Sequence, residues 1–217
     1  MSEWWTYSLS DFLLFSPHTY FRLFELYNRA IWPGQIAALA LGVGMLALGL
    51  RGGSWRGRAM AAILAACWLW VAWAYLLVRY DTINWAARYF AIGFVIEAAL
   101  LIGAGVIRDG LRPRRRGDPA ALTGLGMVGG ALFLWPMIGL LFGRPMVQAE
   151  VFGVAPDPTV VATLGIILAA ERARWELLVI PLLWCAISGA TLWTMESPGA
   201  FLLPAAALTA IVVTVRK

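Results

Sequence analysis

Two carboxylates in this chain stand where a charge needs a reason. Glu97 is the eleventh residue of the apolar run 87–107. A charged carboxylate at the centre of a bilayer is costly, about 2.5–3.5 kcal/mol on insertion scales for the related Asp. Glu97 therefore has to face the interior of a helix bundle, be protonated, or have a partner. It suits a proton- or cation-linked site, and it equally suits a protonated glutamate bonded across helices to a Trp, Tyr or Ser. Asp157 lies in VFGVAPDPTVVATLG, residues 151–165, bracketed by Pro156 and Pro158. Proline fixes its own φ and pushes the preceding residue toward extended geometry. The chain is thus stiffened around one carboxylate just before an apolar helix begins. Asp157 reads as a cap on that helix, favoured by the positive end of the dipole. It also reads as a solute- or ion-binding carboxylate, with the hydroxyls of Thr159 and Thr163 below it. Gln35, Tyr75, Arg79 and Trp135 are expected at the same end of the molecule. So are Asp81, Arg88, Arg144 and Glu150, whose mutual salt bridges would need no ligand to explain them.

Other chemistries find little footing. GLGMVG, residues 124–129, matches GxGxxG, but no strand precedes it and it lies inside an apolar run. Helix packing is the better reading, and the Gly126–Gly130 GxxxG step points to close approach of a neighbour. No GxSxG or HExxH pattern occurs, and no Cys–His pair shares an element. Cys67 and Cys185 are the two cysteines, each in an apolar run, and His18 is the single histidine. Two thiols make neither a disulfide framework nor a zinc site. No metal, cofactor or nucleic acid is expected. The RPRRRGD loop, residues 112–118, suits a topology anchor or a contact with acidic lipid.

The elements that must hold these residues follow from composition. The 217 residues are 61% hydrophobic and 13% charged, with mean hydropathy +0.77 and net charge +5. Soluble domains carry roughly a quarter charged residues, so an integral membrane protein is the natural class. Apolar runs recur at 32–50, 58–79, 87–107, 119–142, 157–170, 175–194 and 199–215. A crossing helix needs about 20 apolar residues, so the fifth is short. It is expected to be tilted, broken or re-entrant, which is tolerated only where protein packs around it. The basic residues alternate: 12 of 17, beginning with Arg51, Arg56 and Arg58, follow odd-numbered runs. The positive-inside rule then places the N-terminus outside and the C-terminus in the cytoplasm. Trp4, Trp5, Trp32, Trp55, Trp85, Trp175 and Trp193 fall near run ends, as amphipathic rings should. Trp68, Trp70 and Trp73 lie deeper and are expected to fill space beside small-residue faces.

Residues 1–31 form a separate segment ahead of the bundle at 32–217. MSEWW lacks the basic start of a signal peptide. Ser8 with Asp11 marks one helix start, and Ser16–Pro17 a second with Ser as N-cap and Pro at the first helical position. Tyr20, Leu23, Phe24, Tyr27 and Ile31 then keep helical spacing, with Arg22, Glu25 and Arg29 on the other side. Such an aromatic-rich amphipathic helix suits the membrane interface or a lid across the bundle's mouth.

VFGVAPDPTVVATLGIILA and WELLVIPLLWCAISGATLW, with LFELYNRAIWPGQ near the start, resemble the bacterial integral membrane proteins grouped as DUF6064. The resemblance covers essentially the whole chain. Its most specific pieces are Tyr27-Asn28 with Trp32-Pro33, 152–159 and 180–184. It implies a multi-span inner-membrane protein and supplies no activity. The family often has Cys between the two prolines, which would suit a soft metal ion. Asp157 stands there in this chain and removes that warrant.

The expected fold is therefore an all-α polytopic bundle of about seven transmembrane helices, with an N-terminal amphipathic helix on the periplasmic side. The leading functional expectation is a small-solute or ion transporter or channel-like protein, with Glu97 central and Asp157 at the outer entrance. The alternatives are a non-catalytic accessory subunit of a membrane complex, with a homo-oligomer or complex partner, and a membrane enzyme acting on a lipid-linked substrate. A cavity joining Glu97 to the outer mouth would favour transport. A sealed bundle with an exposed small-residue groove would favour the accessory role.

Overall fold

The computed structural model describes residues 15–51, 55–115, 117–172 and 174–216. The expected helix start at Ser8 and Asp11, together with Trp4 and Trp5, lies outside them. The described residues are all-α in regular structure. The helices are α1 (Pro17–Ile31), α2 (Gly34–Arg51), α3 (Arg56–Trp70), α4 (Ala87–Leu100), α5 (Pro119–Gly129), α6 (Trp135–Leu141), α7 (Pro156–Ala169), α8 (Val179–Thr194) and α9 (Leu202–Val215). Wider π-helical turns continue α3 through Val71–Leu77 and α4 through Leu101–Ile107, and join α5 to α6 through Gly130–Leu134. The last has a local cause. Pro136 has no N–H and crowds the carbonyl four residues earlier, and a wide turn relieves both.

Five stretches are long and apolar enough to cross a membrane: Gly34–Arg51, Arg56–Thr82, Ala87–Ile107, Pro119–Leu141 and Trp175–Thr194. Pro156–Ala169 and Leu202–Val215 are shorter apolar helices. The outer faces keep large apolar side chains exposed, among them Ile36, Ile107, Leu134, Leu141 and Val215. Soluble monomers rarely expose so much contiguous apolar surface.

Every residue of α7 is buried. Its 14 residues span about 21 Å at 1.5 Å per residue. Buried irregular chain precedes it: Glu150, Val151, Phe152, Val154 and Ala155 are all enclosed. Such chain is stable in a core only where its polar groups are paired, and side chains supply several of the pairings. Asn28 Nδ2 donates to Val147 O at 2.9 Å and Ala149 O at 2.8 Å. Tyr27 OH donates to Val154 O at 3.1 Å. The Gly153 N–H donates to Thr159 Oγ1 at 2.9 Å, and that hydroxyl donates to Ala155 O at 2.7 Å.

Helix α5 lies against α7 closely enough that a Cβ on Gly124 would sit 2.3 Å from Gly165 O, and one on Gly165 2.4 Å from Gly124 O. The expected packing role of the glycine-rich segment is present, but at a different residue. Gly126 and Gly130 would meet nothing within 4 Å. The tryptophans divide similarly. Trp68 is buried against Phe94 at 4.2 Å and donates to Thr163 Oγ1 at 2.9 Å. Trp70 and Trp73, expected inside, are exposed.

Helix α1 starts as its sequence says, with Ser16 Oγ accepting from Thr19 N–H at 3.2 Å and Pro17 at the first position. Tyr20, Leu23, Phe24 and Tyr27 face inward. Glu25 departs from the expected polar face: it is buried, ion-paired to Arg22 and Arg29, and accepts from Gln148 Nε2 at 3.4 Å. The helix thereby covers the 146–155 chain.

Candidate functional site

Asp157 heads α7 without capping it. The N-cap is Ala155, and no side chain caps the helix. The Asp157 carboxylate turns sideways toward α8. Trp184 Nε1 donates to Oδ1 at 2.7 Å, and Ser188 Oγ lies 3.0 Å from both oxygens. Trp184 and Ser188 are four residues apart, one turn of α8, so both donors share one face. The cap reading is corrected on this geometry: the prolines fix the backbone, while the charge is met from a neighbouring helix.

Glu150 is the second enclosed carboxylate of this end. Trp135 Nε1 donates to its Oε2 at 3.3 Å. Burial raises its pKa to about 8, and repulsion from the Asp157 carboxylate adds to that, against the attraction of Arg144. Arg144 rests its guanidinium 4.0 Å above the Phe21 ring. Trp135, Arg144, Glu150, Asp157, Ser197 and Gly199 border a cavity of about 20 Å³. That is room for about one water. A smaller void of about 10 Å³ borders the Trp184–Ser188 pair itself, together with Tyr20, Tyr75, Tyr80 and Thr191. The Tyr75 ring stacks on Phe24 at 4.9 Å and on Tyr80 at 5.8 Å, and its buried hydroxyl has no hydrogen-bond partner.

Of the residues singled out from the sequence, Asp157, Trp135 and Tyr75 come together here, with Arg144 and Glu150. Thr159 and Thr163 lie deeper and bind backbone: Thr163 Oγ1 donates to Thr159 O at 2.8 Å. Gln35 is elsewhere, donating to Asn28 O at 2.8 Å, with its own buried Oε1 unpaired. Arg79 is half-buried just beyond the π turn of α3. Asp81 and Arg88 form a two-pronged pair at 2.8 and 3.0 Å, the ligand-free explanation foreseen for them. Glu97 is fully buried in α4 with neither carboxylate oxygen hydrogen-bonded. It does not border the cavity at Asp157. The contacts leading from one carboxylate toward the other pass through Trp184 and Phe94, whose rings meet at 5.0 Å, and Phe94 lies one turn from Glu97. Trp184, Ser188, Tyr20 and Tyr80 were not foreseen. The Trp-to-Ser spacing of four inside an apolar helix was the available signal.

A buried acidic pair beside a one-water cavity can hold a proton or a small cation. Among the described residues, no group of three or more His, Cys, Asp or Glu is placed to hold a metal ion. Fold and site together define an all-α protein with several helices long enough to cross a membrane and an enclosed acidic cluster at one end. Residues 18–217 match the family of unknown function DUF6064, and the chain belongs to that family. No curated protein and no solved structure matches it.

Proposed function

We propose that this is a seven-span bacterial inner-membrane protein that binds a proton or small cation on its periplasmic side and uses that site in small-solute or ion transport. In this reading α7 and α9 cross with the five longer helices. The N-terminus lies outside, the C-terminus is cytoplasmic, and α1 rests at the interface across the mouth. The observation that carries the reading is the pairing of Glu150 and Asp157 out of bulk water beside a one-water cavity. Enclosed carboxylates in membrane proteins mark ion and proton pathways more often than they serve as struts. Asp157 is the principal ligand, Glu150 the second acid, and Arg144 sets the balance of charge. Glu97 borders neither cavity of this end. The joining cavity expected of a transporter centred on Glu97 therefore does not support this reading, which rests on a binding-and-release cycle at the outer end alone.

The test is flux. Purified protein in vesicles carrying a pH-sensitive dye, with an imposed pH or sodium gradient, should dissipate the gradient. Asp157→Asn should slow that by about a hundredfold or more, the usual scale for loss of a group that handles the proton. Flux equal to wild type in Asp157→Asn and Glu150→Gln would remove the site from the mechanism. One observation supports a second reading, a subunit that docks a partner. An apolar groove of about 550 Å³, lined by Trp32, Ile36, Leu39, Met146 and Val151, lies open beside α1.

A further inference from the structure

The opposite end of the molecule carries a cavity that the acidic site does not explain. It measures about 260 Å³ and is lined by Arg108, Arg112, Arg172 and Arg174, with Asp109 and Glu171. Four guanidinium groups face two carboxylates, and Glu176 pairs with Arg174 beside them, which leaves one positive charge in excess. Asp109 Oδ2 accepts from Arg112 Nε at 2.6 Å, while its Oδ1 lies 3.8 Å from Arg58 Nε and is buried without a hydrogen-bond partner.

The arginines of this end are not equivalent. Two helix carboxyl ends converge here, and their unpaired carbonyls attract cations, which is a structural reason for arginine. Arg114 meets it: Nε donates to Ala170 O at 2.8 Å and Nη2 to Glu171 O at 3.2 Å, while Nη1 pairs with Asp118 at 2.8 Å. Arg108 and Arg172 are exposed at the cavity rim and make no such bond. Arg174 pairs through Nη1 with Glu176 at 3.4 Å and reaches inward with Nε, which is buried with no hydrogen-bond partner. Gly110 makes that reach possible, because a Cβ there would lie 2.7 Å from Arg174 Nε. A buried guanidinium donor without an acceptor is costly, and an anion with several oxygens satisfies it best.

We propose that this cavity binds a phosphate group, with Arg174 as the inner donor and Arg108 and Arg172 closing over the outer oxygens. The phosphate is the headgroup of an acidic lipid or a free phosphate. The chemistry is the same, and the cavity's place among the basic loops suits either.

Thermal unfolding of the full chain in detergent tests it, with phosphatidylglycerol or phosphatidylcholine in mixed micelles as one arm. Inorganic phosphate against chloride at equal ionic strength is the other. Phosphatidylglycerol raising the midpoint identifies the lipid, and inorganic phosphate doing so identifies the free ion. A midpoint unmoved by both overturns the proposal. Arg108→Gln with Arg172→Gln should weaken the responding ligand by roughly ten- to thirty-fold, from the usual contribution of an arginine near an anionic headgroup. Arg115→Gln, an exposed arginine of the same loop outside the cavity, should leave it unchanged. Equal weakening by Arg115→Gln would mean diffuse charge attraction and would also overturn the site. Both cavity variants replace exposed side chains, so wild-type midpoints without ligand show that each has folded.

Discussion

Asp157 is held by two donors from one helix, and that arrangement sets what each substitution does. Asp157→Ala leaves Trp184 Nε1 and Ser188 Oγ buried without an acceptor. An orphaned donor costs about 1–3 kcal/mol, so the variant should lose about 2–4 kcal/mol of stability. Asp157→Asn keeps an acceptor for the indole and fits the same space, and it should lose about 1 kcal/mol or less. Thermal unfolding in detergent separates them. Adding Trp184→Phe to Asp157→Ala should cost less than the sum of the two, because the orphan is then removed. Strict additivity would contradict the bond. Glu150 makes a pH prediction. Its pKa is raised to about 8 from an ordinary 4.5, so the folded state holds a proton that the unfolded state releases. Stability is then full below about pH 4.5 and is lost as pH rises toward about 8. Glu150→Gln should flatten that decline, so its midpoint gains on wild type steadily across this range. A constant difference would place the shift elsewhere. The sequence showed that Asp157 sits on a stiffened turn and that Glu150 and Arg144 share its end. It could not show that the carboxylate turns away from its own helix, because the competing donors lie 27 and 31 residues away on α8. Local capping rules weigh only the nearest N–H groups, and here Pro158 removes one of those.

At the scale of the element, the apolar runs made every helix of the bundle legible, including the shortness of α7. Hydrophobicity counts residues, and a run of 14 cannot hide its length. What enclosed α7 was less legible, since uniform burial depends on which neighbours arrive, and α7 has no polar face to say so. Glycine spacing makes the difference concrete. The Gly126–Gly130 step has the right form for close approach, yet contact falls at Gly124 and Gly165. Spacing identifies a helix that could be approached and leaves open the height at which its neighbour crosses. Gly124→Ala and Gly165→Ala should therefore each destabilise by about 1–3 kcal/mol, because the added carbon meets backbone that cannot step aside. Gly126→Ala and Gly130→Ala should be neutral or stabilise by up to about 1 kcal/mol, since alanine is the better helix former and nothing opposes it. Unfolding midpoints of the four variants decide it. Destabilisation by Gly126→Ala equal to that by Gly124→Ala would contradict the α5–α7 crossing. The same logic covers Trp70 and Trp73. Their depth in the run was readable, but the π turn that follows Trp70 changes the helical phase, and no residue pattern announced that turn.

For the whole molecule the question is how many times the chain changes sides. The arginine alternation divides the connections into two sets, and the fold gathers each set in space. At one end Arg58 meets Asp109, Pro113 pairs with Ala170 in an antiparallel bridge, and Arg114 binds the backbone of Ala170 and Glu171. At the other, Asn28 holds the backbone at Val147 and Ala149, while Arg144, Glu150 and Ser197 border one cavity. Helix α7 runs from the second set to the first, so in the proposed seven-span arrangement its fourteen residues and the packed chain before them cover the full depth. That makes α7 the place where the topology is decided. Periplasm-dependent phosphatase and cytoplasm-dependent fluorescent reporters joined after Arg114, Arg144 and Glu171 should report cytoplasm, periplasm and cytoplasm in turn. Arg114 and Arg144 on one side would break the α5–α6 crossing and, with it, the inside-positive orientation. Arg144 and Glu171 on one side would mean that α7 returns without crossing. Glu171 could then not lie beside Arg114 as the hydrogen bonds at Ala170 require, and the acidic site would need a different access. The reporters on three alternating sides therefore test the backbone path through α7 as much as orientation, and they need no knowledge of any substrate.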